Sequence, residues 1–181
     1  MRLVKTFIDD LVVVEPDLYK DERGYFFESW SYKKYHEIGI ECKFVQDNHS
    51  NSHQGVIRGL HFQLKRPQAK LVRVSLGEVL DVAVDLRKES KTFGEHYSIL
   101  LSEFNAKQLF IPEGFAHGFF ALTKNVSFQY KTSDYYHPEF EHTLLWNDPE
   151  IGIDWKLGDI IPQISQKDLN GKTLSQIKEI L

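Results

Sequence analysis

Three stretches of the chain place ionisable and amide side chains where a plain β core would carry apolar ones. Asp21-Glu22-Arg23-Gly24-Tyr25-Phe26-Phe27-Glu28 reads as a turn running into an edge strand whose charges can face water. Gln46-Asp47-Asn48-His49-Ser50 leads on to Gly55-Val56-Ile57-Arg58-Gly59-Leu60-His61-Phe62-Gln63, where Arg58, His61 and Gln63 interrupt an apolar strand. His61 and Gln63 lie two apart and share one strand face, as do Gln46 and Asn48. Such a face is either a solvated exterior or a polar cavity within a barrel. In Ile111-Pro112-Glu113-Gly114-Phe115-Ala116-His117-Gly118-Phe119, a Pro–Gly turn delivers His117 into a strand between apolar neighbours. Imidazoles so placed suit proton transfer near neutral pH or metal ligation. Eight histidines beside one cysteine leave the metal reading open. Each stretch alone also fits a structural role, His117 that of a hydrogen-bonded core histidine. Together they point to a site without naming its chemistry.

Many short strands must position these groups. Lys70–Leu76 alternates apolar and polar, and Gly77-Glu78 turns it into Val79–Leu86. Tyr97–Leu101, Lys107–Ile111, Gly118–Leu122 and Val126–Tyr130 follow, with turn residues between them. Their length and β-branched and aromatic content predict an antiparallel sandwich or barrel. Helix is expected only at Ser31–Ile38, capped by Ser29 or Ser31 and stopped by Gly39, and at Leu174–Leu181. No repeat or low-complexity linker divides the 181 residues, so residues 1–181 are read as one domain. A net charge of -4 excludes general electrostatic attraction to nucleic acid or an anionic membrane. The apolar run Leu11–Val14 is too short for an export signal or a membrane span, so a soluble, cytoplasmic protein is expected. The lone Cys42 excludes an intrachain disulfide framework.

Arg58-Gly59-Leu60-His61-Phe62-Gln63, followed by Gln68-Ala69-Lys70-Leu71-Val72 and Gly77, resembles the dTDP-4-dehydrorhamnose 3,5-epimerase family. The likeness continues through Asp81–Arg87, Ser90–Gly94, Ile111–Phe119, Tyr130–Tyr136, Trp146–Pro149, Ile153–Trp155 and Ser165–Asp168, collinear over most of the chain. It implies an all-β fold, a cupin-type antiparallel β-barrel or jelly roll with a few short helices, and a homodimer with shared N-terminal strands. The implied substrate is a dTDP-4-keto-6-deoxy sugar, epimerised at C3 and C5 on the way to dTDP-L-rhamnose. A single-centre 3- or 5-epimerase of another such sugar is the nearest alternative. A metal-dependent cupin oxygenase and a non-catalytic sugar-binding cupin are the others.

Metal-binding cupins carry a pattern resembling G-x5-H-x-H-x3,4-E-x6-G with a later His in P-x-G-x-x-H. Gly55, His61, Gly77, Pro112, Gly114 and His117 fit it, but Gln63 takes the second His position and, counting back from Gly77, Lys70 the Glu position. Two ligands are lost and a cation is gained, so neither metal nor cofactor is expected. The resemblance makes His61 the base, Asp168 the carboxylate orienting it, Lys70 the donor to the enolate oxygen and Tyr130 the acid on the opposite face. It assigns Arg23, Arg58 and Lys167 to the nucleotide, and Glu28, Gln46, Asp47, Asn48 and Glu141 to further substrate contacts. Phe26 suits stacking on the base, and His117 and Tyr136 complete the implied contacts. Some of these contacts cross the dimer in the family, leaving open whether Arg23, Phe26 and Glu28 serve their own site or the partner's. The chain departs from the family at Lys65-Arg66, two extra cations, and at Phe62, where Tyr is frequent.

Overall fold

The predicted alternation builds most of the protein, and a short-stranded N-terminal arm precedes it. The computed structural model describes residues 1–181. Four short strands come first: β1 (Arg2–Lys5), β2 (Val12–Glu15), β3 (Tyr19–Asp21) and β4 (Gly24–Phe26). Helix α1 (Tyr32–Glu37) follows, within the expected span and stopped at Gly39, whose φ is +100°. Then come β5 (Gln46–His53), β6 (Val56–Gln63), β7 (Lys70–Leu76), β8 (Glu78–Asp85), β9 (His96–Ser102), β10 (Gln108–Ile111), β11 (Phe115–Ala121) and β12 (Asn125–Thr132). After β13 (Glu141–Thr143) and β14 (Gln163–Ile164), helices α2 (Gln166–Leu169) and α3 (Leu174–Lys178) close the chain. No helix is long and apolar enough to cross a membrane.

Two sheets face one another, the cupin jelly roll. One runs β1-β2-β10-β7-β12-β5; the other runs β13-β6-β11-β8-β9, with β14 parallel to the start of β6. Strands β3 and β4 form a separate hairpin. Between the sheets lies an apolar core that includes Leu11, Val13, Val72, Val74, Leu109, Phe119 and Phe128. Burying each of the larger of these side chains contributes about 1.5–3 kcal/mol. The outer face of the second sheet is also covered. There Ile57, Leu60, Leu80, Val82, Val84 and Phe120 pack under Leu144, Trp155, Leu174 and Ile177 of the C-terminal segment. The first sheet is covered in part, with Val14 and Leu71 beneath Tyr35 and Ile40. β8 is therefore buried on both faces, which is why it reads as a nearly unbroken apolar run.

Helix α3 ends three residues short of the expected Leu181, and its capping box pairs Thr173 with Gln176. Helix α2, one turn long, is not predicted by periodicity. Ser165 caps it, its hydroxyl accepting from the Asp168 N–H at 3.1 Å.

Candidate active site

Inward-facing side chains of the two sheets leave a cavity of about 580 Å³ at one end of the barrel. Of the residues singled out from sequence, Arg58, His61, Lys70, His117, Tyr130, Tyr136, Glu141, Lys167 and Asp168 line it. β6 supplies Arg58 and His61, β7 begins with Lys70, β11 carries His117, and β12 carries Tyr130. β13 and α2 close the rim with Glu141, Lys167 and Asp168. Phe119 and Phe128, stacked with centroids 4.3 Å apart, contribute an apolar wall.

His61 and Asp168 are 107 residues apart in sequence, and His61 Nε2 lies 2.6 Å from Asp168 Oδ1. A neutral imidazole in this pair keeps its proton on Nε2, which donates to the carboxylate, and leaves the Nδ1 lone pair to accept a proton. The second carboxylate oxygen, Oδ2, accepts the Gly59 N–H at 3.3 Å. Burial alone would raise the Asp168 carboxyl, but the hydrogen bond and charge of His61, with Gly59 and Ser165, outweigh it and hold the group below the usual carboxylate range.

Lys70 is buried, and its ammonium donates to the His61 carbonyl at 3.2 Å. Burial pulls its pKa down to about 8, opposed by the charges of Asp81 and Glu141. A cation in this place is repelled by a divalent metal, and the Gln63 amide is already engaged. Gln63 Nε2 donates to the Arg66 carbonyl at 2.7 Å, and Oε1 accepts the His137 N–H at 2.7 Å. The side chains standing at two metal-ligand positions thus do not fit a metal. The Tyr130 phenol is held above its ordinary value, first by burial and then by Glu141.

At the rim, Glu141 accepts from Tyr136 Oη at 2.8 Å and pairs with Lys167. Burial would raise the Glu141 carboxyl, but the bonds from Lys167 and Tyr136 win and keep it ionised. Tyr136 is pushed up to about 12, chiefly by its bond to Glu141.

Asp81 was not anticipated as a site residue. Both its oxygens lie against His117 Nε2, at 3.0 and 3.1 Å, and both residues are buried. Burial lowers the His117 pKa against the pull of Asp81, so the ring is neutral at neutral pH. The signal was present: a carboxylate inside the apolar run Val79–Leu86 needs a buried partner. His53 and Ser50 of β5 also line the cavity, and the buried Ser50 hydroxyl has no hydrogen-bond partner.

The remaining predicted residues lie elsewhere within one chain. Gln46 reaches the rim only through the Tyr136 N–H, which it accepts at 3.2 Å. Asp47 and Asn48 line a neighbouring cleft outside the cavity, and Asp47 pairs with Lys131 at 2.7 Å. Arg23 pairs with Asp21 in the exposed β3–β4 hairpin, Phe26 is 66% exposed there, and Glu28 pairs with Lys34. A single chain does not bring Arg23, Phe26 or Glu28 to the cavity.

These side chains can take a proton at one atom, hold an oxyanion beside an ammonium, and return a proton from a phenol. Similar proteins carry names that fit that set. The family described as dTDP-4-dehydrorhamnose 3,5-epimerase matches residues 5–176. The dTDP-4-dehydrorhamnose 3,5-epimerase of Methanothermobacter thermautotrophicus is 52% identical over 178 residues, 97% of this chain and 95% of the relative. The crystal structure of a dTDP-6-deoxy-D-glucose-3,5-epimerase from Legionella pneumophila, in complex with dTDP-4-keto-L-rhamnose, is 50% identical with a TM-score of 0.93, covering 96% of this chain and 93% of the other. A mutant 3'-monoepimerase from Streptomyces bikiniensis, in complex with dTDP, is 28% identical with a TM-score of 0.90, covering 99% and 90%. Matched along nearly its whole length, the chain belongs to the dTDP-4-dehydrorhamnose 3,5-epimerase family.

Proposed function

We propose that this isomerase converts dTDP-4-dehydro-6-deoxy-D-glucose to dTDP-4-dehydro-L-rhamnose, inverting C3 and C5 by removing and returning a proton at each. The observation that carries the reading is the His61–Asp168 pair opening onto the same cavity as Lys70 and Tyr130. His61 Nδ1 takes the proton from the carbon beside the C4 ketone, and the electron pair moves onto the C4 oxygen. The Lys70 ammonium stabilises that enolate, and Asp168 stabilises the imidazolium that forms. Tyr130 then donates its phenolic proton to the opposite face of the carbon. The proton taken up by His61 and the one given by Tyr130 balance through solvent, so the net reaction is inversion.

Arg58 and Lys167 suit the diphosphate of the nucleotide, and Glu141, Tyr136 and His117 the sugar and base. Inversion at both carbons is favoured over inversion at one because the chain is 50% identical to the solved 3,5-epimerase and 28% identical to the monoepimerase. The overall fold alone does not separate them, since both superpose closely. Incubation with dTDP-4-keto-6-deoxyglucose in deuterated water is expected to introduce one deuteron at C3 and one at C5, read by proton NMR. Deuterium at a single carbon would establish the single-centre reaction instead, and none at either would end the epimerase reading.

The same reading makes the working protein a homodimer in which Arg23, Phe26 and Glu28 complete the partner's site. Its support is that these residues are exposed, Arg23 and Phe26 on the β3–β4 hairpin and Glu28 just after it, yet match positions assigned to substrate. Refolding His61→Ala together with Arg23→Ala is expected to restore about a quarter of wild-type activity, because half the dimers are mixed and each then holds one intact site. If the mixture stays as inactive as its components, Arg23 acts within its own chain. The proposed location is the cytoplasm, where a free thiol such as Cys42 persists.

A further inference from the structure

Arg58 and His61 both line the cavity although they are three residues apart on one strand. A regular strand would send them to opposite faces. The outward-facing neighbours show the same irregularity: Ile57 and Leu60, also three apart, both lie in the outer apolar cluster. The alternation is reset at Gly59. Opposite it the ladder slips, His117 pairing with His61 and Phe119 with Arg58, so that β6 uses one residue more than β11 over the same length. This is a β-bulge, and bulges re-aim the side chains that follow them.

The bulge is possible only because two glycines meet. Gly59 has φ +118°, and a Cβ there would lie 2.6 Å from Gly118 Cα and 2.7 Å from the His117 carbonyl oxygen. A Cβ on Gly118 would lie 2.5 Å from the Arg58 carbonyl oxygen and 3.1 Å from Gly59 Cα. These contacts are with backbone, which cannot swing away as a side chain can.

On the other side of β6 the strand has two short partners. β14 pairs with Val56 and Ile57, and β13 with His61, Phe62 and Gln63. Between them Leu60 pairs with Leu144, and the Gly59 N–H has no strand to meet. Asp168, on the helix that β14 leads into, fills that gap. Its Oδ2 takes the Gly59 N–H while its Oδ1 takes His61 Nε2.

We infer that Gly59 and Gly118 are positioning residues for proton abstraction, the bulge they permit turning His61 into the cavity and lending Asp168 a backbone donor that fixes its carboxylate. The inference rests on the reading of His61 as the base and extends it to the backbone. It makes the orientation of the pair depend on main-chain geometry as well as on the two side chains.

The direct test removes the donor without adding bulk. Glycolate in place of Gly59, introduced by nonsense suppression, replaces the amide N–H with an ester oxygen. The ester protein is expected to lose about tenfold to a hundredfold in kcat for C3 exchange, the range for a hydrogen bond to a charged group. KM should stay within about twofold, and the low-field Nε2 proton of His61 should broaden or shift upfield, which a merely structural lesion would not single out. Gly118→Ala, which forces the strands apart, is expected to lose at least about a hundredfold. Should that variant fail to fold, the ester still decides. Wild-type kcat and an unchanged His61 proton signal in the ester protein overturn the inference. If His61→Ala is inactive in the same assay while the ester is fully active, the base stands and only the backbone role falls. If His61→Ala exchanges normally, both fall.

Discussion

His61→Ala is expected to lower deuterium exchange at C3 and C5 by about 10³-fold, within the range a positioned general base contributes. Affinity for dTDP should change by less than about twofold, because the proposed role of the imidazole is at the reacting carbon and not at the nucleotide. The variant keeps Asp168, whose carboxylate loses its strongest partner but retains Gly59 and Ser165. It should therefore fold, and circular dichroism would verify this. Residual exchange within tenfold of wild type would remove His61 from the role of base. Tyr130→Phe supplies the contrast. Burial and Glu141 keep the Tyr130 phenol protonated through the neutral range, so its loss removes a proton donor and no base. Exchange without inversion should persist in that variant while net epimerisation falls. Equal losses in both would count against Tyr130 as the acid.

Lys70→Met is the second large effect. In the proposed reaction the buried Lys70 ammonium lies beside the developing enolate, where water cannot screen it, and removing such a donor costs about 10²- to 10³-fold in kcat. Methionine matches the four-atom stem of lysine without its ammonium and leaves the hole largely filled. The same residue sets a pH limit whose sign follows from its shift. The Lys70 pKa is lowered by burial to about 8, so the charge is present below that pH and lost as pH rises through it. Wild-type kcat/KM is thus expected to decline above about pH 8, and Lys70→Met to lack that basic limb along with most of the activity. A wild-type profile flat to pH 10 would show that the charge is not used.

Strand positions were legible where one face is apolar and the other is not, as in Lys70–Leu76 and Val126–Tyr130. The polar strand β5 was legible only as a row of residues two apart. Its alternate residues are half-buried, and Ser50 and Ser52 of that row line the cavity. Helix α2 was not legible, since one turn is too short for periodicity to register. Asp168 could be matched to a role before anything indicated the helix that carries it. Spacing also left one placement unread. His61 and Gln63 do share a face, but Arg58 joins them across an odd interval because a bulge intervenes. Period-two reasoning has no means of seeing an inserted residue unless glycine is taken as its marker. Asp81 escaped for another reason. It stands in a buried strand whose motif was noticed, yet its partner lies on the neighbouring strand, where only pairing reveals it.

Asp168 differs from the other side chains of the candidate site in what holds it. Lys70 and Tyr130 sit on strands hydrogen-bonded along both flanks and His61 on one paired with β11, whereas Asp168 rides on the segment after Leu144. That segment is tied to the barrel by a two-residue parallel strand, one isolated bridge from Leu144 to Lys172, the side-chain bonds of Lys167 and Asp168, and the packing of Trp155, Leu174 and Ile177. A unit with so few ladder bonds can open without the barrel melting. Heat should then silence the enzyme some degrees before it unfolds the sheets, and amide exchange should be faster across residues 163–181 than across β7 or β12. Grafting extra apolar contacts onto that segment would raise the working temperature while leaving the barrel's own melting point nearly where it was.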